Sequence, residues 1–215
     1  IDIESLELTQ RAFSTLAVVA KSDNGKAAAQ PPAVRIENIR LTNALVKLDK
    51  TSFGPFDARL RLDDTGNPLE ITANTRDGKL KALVTPEKSN YRIEINAKAW
   101  KLPSGPGIVF DELAVKGAAT LNEANFSQVN AKLYGGTVSG QSMVAWQRGL
   151  QLRGAFEVNQ VELKQLVPLF SPKTNVSGRL NAKPVYSASA PSAAQLMNAL
   201  RLESPFDVQN GVLHG

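Results

Sequence analysis

The chain of 215 residues has no cysteine, which excludes a disulfide framework, a thiol nucleophile and a thiolate metal site. It has one histidine, His214, beside its C-terminus, so a Ser-His-Asp triad or a multi-histidine metal centre has almost nothing to draw on. Aromatic residues make up only 6%. The longest aliphatic run, Leu16-Ala17-Val18-Val19-Ala20, falls far short of the roughly 20 apolar residues of a membrane-spanning helix. Net charge is small as well: 25 basic against 20 acidic side chains give +5, too little at this length to favour disorder. No basic segment followed by an apolar stretch marks a signal peptide, and the first residue is Ile1 rather than Met. The expectation is a fragment of a longer protein. Absence of cysteine suits an oxidising and a reducing compartment equally.

What is present is period-2 alternation. Val34, Ile36 and Leu45/Val46/Leu48 belong to strand-like runs, as do Ala58–Leu62, Tyr91–Ile95 and Leu113–Lys116. Between them lie the breakers Gly54-Pro55, Asp64-Thr65-Gly66-Asn67-Pro68, Asp77-Gly78 and Pro103-Ser104-Gly105-Pro106-Gly107. Short alternating runs separated by turn residues predict a mainly β protein with a long, curved, mostly antiparallel sheet. Two hairpins can be registered. Asp77-Gly78 fits a two-residue type I′ turn, which sets Thr75 against Leu80, Ala73 against Ala82 and Ile71 against Val84. Gln147-Arg148-Gly149 fits a three-residue loop with Gly in the left-handed position, setting Trp146 against Leu150, Val144 against Leu152, Gly140 against Phe156 and Val138 against Val158. In both, one face is apolar; Asn74/Lys81 and Gln151/Arg153 fall on the other.

Two short helices are expected late in the chain. Leu163, Leu166, Val167 and Phe170 have the spacing of a buried stripe, cut short by Pro168. Ser192-Ala193-Ala194-Gln195 has capping-box spacing ahead of an apolar face of Ala193, Leu196, Met197 and Leu200. Residues 1–52 read as N-terminal strands with a mobile loop over 21–32, and residues 53–215 as the main β region, either separate from the first segment or one continuous domain with it.

Few residues invite chemistry. The carboxylate pairs Asp63-Asp64 and Asp111-Glu112 have the residue type of a glycosidase site, but adjacent carboxylates in a strand point to opposite faces, and Asp63-Asp64 leads into a turn. Tyr134-Gly135-Gly136-Thr137-Val138-Ser139-Gly140 lacks the following helix of a phosphate loop and reads as a bend or bulge in a long strand. The triplets Asn125-Phe126-Ser127 and Asn175-Val176-Ser177 match a glycosylation acceptor that recurs by chance. Basic residues alternate singly with acids and form no aromatic–basic platform, so no nucleic-acid partner is expected.

Several landmarks in order resemble the C-terminal region of the AsmA family of bacterial envelope proteins. They are Ala97-Lys98-Ala99-Trp100-Lys101-Leu102-Pro103, Lys132-Leu133-Tyr134-Gly135-Gly136-Thr137-Val138-Ser139-Gly140 running on to Val144-Ala145-Trp146, and Val161–Leu166. Ser177–Ala182, the helix with Leu196 and Leu200, and the closing Phe206–Gly215 complete the series over residues 53–215. The resemblance implies an open β-groove with an apolar concave side, similar to the bridge-like lipid transfer proteins, in the periplasmic part of an inner-membrane-anchored protein. It implies phospholipid or another envelope lipid as partner, a role in phospholipid movement between the membranes and outer-membrane homeostasis, no enzymatic activity and no cofactor. The family's N-terminal anchor has no counterpart in this sequence. The lipid-contacting face is then expected at Ile71, Ala73, Leu80, Val84, Val138, Val144, Trp146, Leu150, Leu152 and Phe156. A structural module assisting outer-membrane protein assembly, with envelope proteins as partners, is the alternative.

Overall fold

The computed structural model describes residues 2–4, 7–9, 37–48, 51–103 and 105–214. The strand-like Val34 and Ile36 and the loop expected over 21–32 lie outside the described residues. The strands are β1 (Asp2–Glu4), β2 (Glu7–Thr9), β3 (Asn38–Leu48), β4 (Thr51–Leu62), β5 (Pro68–Thr75), β6 (Leu80–Glu87), β7 (Asn90–Lys101) and β8 (Val109–Ala119). Then follow β9 (Glu123–Leu133), β10 (Gly136–Ala145), β11 (Leu150–Glu162), β12 (Asn175–Ala182), β13 (Val185–Ala190), β14 (Arg201–Glu203) and β15 (Phe206–His214). All belong to one open sheet, as the alternation predicts. Its order is β1-β3-β4-β5-β6-β7-β8-β9-β10-β11-β12-β15, with β2 beside β3, β13 beside β11 and β14 beside β13. β1 and β2 run parallel to β3, and the other pairings are antiparallel.

Chain order and sheet order coincide because tight turns join antiparallel neighbours. The last strands keep this plan despite two interruptions. β11 pairs along one half with β13 and along the other with β12. Across the gap, the Phe156 N–H donates to the Pro184 carbonyl (2.9 Å) and the Lys183 N–H to the Pro205 carbonyl (3.0 Å). β12 with β13, and β14 with β15, are therefore two long strands, each broken where a proline has no N–H for the ladder.

Both registered hairpins have the expected pairing. Ile71 faces Val84 and Ala73 faces Ala82; Val144 faces Leu152, Gly140 faces Phe156 and Val138 faces Val158, with Gln151 and Arg153 opposite Ala145 and Met143. The first turn differs in type. Within it Gly78 has positive φ and Asp77 does not, so it is not type I′. The Gly78 N–H bonds the Thr75 carbonyl, and the Asp77 carboxylate accepts from Thr75 Oγ1 and the Lys79 N–H. The carboxylate stabilises a wider loop of the same register. Tyr134-Gly135 is a further correction: both residues have positive φ, at 50° and 73°, and Leu133 pairs with Gly136. They form a two-residue hairpin turn rather than a bend within one strand. Gly54-Pro55 lies inside β4, beside register shifts in the β3–β4 ladder, and does not end the strand. Residue 52 lies inside β4, so the first segment and the main β region share a strand of the sheet.

The two helical pieces, Leu163–Leu166 continuing to Leu169 and Ala193–Leu196 continuing to Ala199, sit where expected and pack on β11, β12 and β13. Both finish as 3₁₀ turns. With three residues per turn instead of 3.6, the first rotates its stripe off the sheet: Leu163 is buried, whereas Phe170 is 65% exposed. At the second, the Ser192 hydroxyl reaches the Gln195 side chain (3.5 Å) rather than making the reciprocal bonds of a capping box.

The described core is thin. Six of its eleven buried apolar residues are alanines, and Val161 is the one large side chain that is almost fully enclosed, at 1% exposure. Close strand spacing is consequently important. A Cβ on Gly136 would lie 2.5 Å from the Asn159 carbonyl oxygen and the Val161 nitrogen of β11. We predict that Gly136→Ala lowers stability by about 1–3 kcal/mol in denaturant unfolding, while Ser139→Ala in the same strand stays within about 0.5 kcal/mol. Equal losses would show that the β10–β11 approach is not the sensitive feature.

Candidate functional site

Parity along each strand and pairing between strands together produce a continuous apolar face. Ala73 faces Ala82, Ala82 faces Ile95, and the row passes through Val115, Val129 and Gly140 to Phe156. On one side a parallel row joins Leu80, Ala97, Leu113, Ala131, Val138 and Val158. On the other, Ile71, Val84 and Ile93 line up, and further along Ala124, Val144, Leu152 and Ala188 do so. One-residue bulges interrupt the ladders between β8 and β9, β9 and β10, and β11 and β12. The rows resume on the same side after each, because the extra residue is absorbed locally.

Nine of the ten expected residues lie in strands with this parity. Trp146 follows β10 directly and is tied down by its indole N–H, which donates to the Leu121 carbonyl at 2.8 Å. Leu80 is buried and the other nine are half-buried. The central contributors Ile93, Ile95, Leu113, Val115, Val129 and Ala131 extend the set. Alternation marks Ile93, Ile95, Leu113 and Val115 as strand residues, but no registered turn connects them to either hairpin.

The opposite face is polar. Arg59, Thr72, Leu83, Glu94, Lys116 and Gln128 form one row across it. Lys98 faces Glu112, and Glu112 faces Lys132 with an ion pair of 3.0 Å. The hydrogen bond and charge of Lys132 lower the Glu112 pKa. Glu112 therefore belongs to a solvated cross-strand network, and Asp111 precedes it within β8.

The Asp63 carboxylate organises the β4–β5 turn. It accepts from the Thr65 hydroxyl (2.7 Å), the Thr65 and Asn67 N–H groups (2.8 Å each) and the Asn67 amide (3.2 Å). These bonds, led by that of the Thr65 hydroxyl, lower its pKa to about 2. An open depression of about 560 Å³ next to it is lined by Glu37, Asn38, Arg61 and Asp63 among others, at the turn rather than on the apolar face. Ser177 Oγ lies 2.9 Å from His214 Nε2, across the β12–β15 ladder. No carboxylate bonds that histidine among the described residues, so the pair serves as a strand cross-link. Sequence separation concealed it. Among the described residues no helix is long and apolar enough to cross a membrane.

A carboxyl whose pKa is depressed on folding contributes stability above its unfolded pKa and loses that contribution as pH falls through its folded pKa. We predict that the Asp63 contribution is present above pH 3.8 and is lost as pH falls from there through about 2. Asp63→Ala should lower Tm at neutral pH more than Asp64→Ala, and the Asp63-dependent difference should shrink as pH falls through about 2 and vanish below it. A difference that persists there would assign the turn's stability to other bonds.

The chain has no match among protein-family models, curated proteins or solved structures.

Proposed function

We propose that this chain is a non-enzymatic, periplasmic module of an AsmA-like, inner-membrane-anchored protein that carries phospholipid between the inner and outer membranes. The observation that carries the reading is the apolar face spanning β4–β11, which begins with Ala58 and Leu60 of β4 opposite Ala73 and Ile71. Domains ordinarily bury such a face against a second layer, but the helical pieces pack only at β11–β13, and among the described residues no other element covers the rest. An uncovered apolar surface of this extent marks a binding site. At about 4.8 Å per strand the face runs about 35 Å across the sheet, more than twice the roughly 15 Å hydrocarbon depth of one bilayer leaflet. A lipid would occupy part of it, which suits a track better than a closed pocket. The location and the phospholipid assignment rest on the family resemblance.

The alternative, a module assisting outer-membrane protein assembly, draws on a different observation. Exposed apolar residues gather at the final edge, where Phe206 is 73% and Leu213 75% exposed, and an unpaired strand edge can accept another strand.

Strand parity provides the test. A photo-crosslinking residue at Val144 or Leu152 should capture phospholipid in cells, whereas one at Gln151 or Arg153 should not. Leu152→Asp should impair lipid binding more than Gln151→Asp, because a charge placed among acyl chains is costly. Capture of protein alone from Val144 and Leu152 would favour the assembly module, and equal lipid capture from both faces would indicate surface adsorption. The reading also expects lipid capture to survive Asp63→Ala, Asp64→Ala, Asp111→Ala and Glu112→Ala.

A further inference from the structure

At its β10–β11 end, beside the strands on which the helical pieces pack, the apolar face carries a pair of polar side chains. Ser142 on β10 pairs with Gly154 on β11, and Gly154 with Tyr186 on β13, so all three share the parity of the apolar rows. Gly154 has no side chain, and the Tyr186 ring leans across the vacant space: a Cβ there would lie 2.5 Å from Tyr186 Oη. Phe156 leans over Gly140 in the same way, with its Cδ1 2.5 Å from the corresponding point. The rings stack with centroids 5.8 Å apart and planes 10° from parallel. They lie along the sheet instead of standing up from it, which keeps this stretch of the face level.

The Tyr186 hydroxyl donates to Ser142 Oγ at 2.8 Å. Burial pushes the Tyr186 pKa up, and the bond to Ser142 pulls it the other way; at neutral pH the phenol keeps its proton and remains the donor. Ser142 Oγ thus accepts from Tyr186, while its own proton meets no acceptor among the described residues. A half-buried hydroxyl with an unused donor favours an overlying group that brings an acceptor. That acceptor is neutral in character, since Arg153, the cation on the neighbouring strand, lies on the opposite face beside Met143. In a glycerolipid the neutral acceptor next to the hydrocarbon is the ester carbonyl.

On the lipid-carrying reading, on which this rests, we infer that Ser142, held in place by Tyr186, donates a hydrogen bond to the acyl-ester carbonyl of a bound glycerolipid. The hydrocarbon then lies over the Phe156 and Tyr186 rings and the aliphatic rows.

The test compares a short-chain, water-soluble diacyl phosphatidylcholine with its ether-linked analogue, which lacks only the carbonyl oxygens, each titrated as monomers into this chain. The expected result is tighter binding of the ester by about three- to tenfold, the worth of one net hydrogen bond. Ser142→Ala should abolish that preference while leaving ether binding unchanged, and Tyr186→Phe, which keeps the ring but frees the serine rotor, should reduce it. Equal binding of both lipids to the wild type would overturn the inference and leave lipid carriage standing. Binding of neither would overturn both. A preference that persists in Ser142→Ala would overturn the assignment to this residue, and one unchanged in Tyr186→Phe would overturn the role given to Tyr186.

Discussion

The antiparallel backbone ladder is the constraint on which everything else in this molecule depends. Each pairing fixes which side chains share a face, and a slip of one residue would send every apolar side chain on that strand to the solvent side. In a two-layer domain, packing against the second layer corrects such errors. Over β4–β10 no second layer occurs among the described residues, so register must come from the ladder, the turns and cross-strand pairs such as Glu112–Lys132. This explains the organisation of the turns. The Asp63 and Asp77 carboxylates each gather several local donors, and Tyr134 reaches from its own turn to accept the Val109 N–H at 2.9 Å.

Bulges and prolines are local departures that preserve the same segregation. An extra residue in β9 or β11 is accommodated where Phe126 meets Gly117 or where Gln160, at φ 56°, turns its side chain to Asn181 and Gln209. Beyond each bulge the apolar row continues. The breaks at Pro184 and Pro205 lie side by side and are bridged by backbone bonds, so two irregular strands interrupt the sheet at one place only. The helical pieces pack beside them, where Val161, Ala188 and Ala190 of the strands and Leu163 of the first helical piece are buried.

The fold class was legible because period-2 alternation is a local property, and each registered hairpin was legible because a glycine sits at its tip. Gly149, at φ 85°, ends the second loop as the spacing requires. The turn at Lys88-Ser89 had no such signal: Lys88 takes φ 46° without a glycine, held by the Glu87–Asn90 pairing on either side. Tyr134-Gly135 reads as a bend from sequence because alternation continues beyond it to Trp146; a tyrosine in the left-handed region is disfavoured on its own, and the Leu133–Gly136 pairing across the turn holds it there. The shared parity of nine of the ten face residues was readable from two hairpins. The middle of that face, and the ring placements over Gly140 and Gly154, needed pairings among strands that no short-range pattern specifies.

Because chain order follows sheet order from β3 to β11, each strand there depends mainly on its two neighbours, much as the units of a solenoid do. Such an arrangement is modular under evolution. Insertion of one more hairpin between existing turns would widen the apolar face by about 10 Å and disturb only the strands on either side of it. The same architecture has low contact order, so its strands can be added one after another during synthesis without waiting for a distant partner.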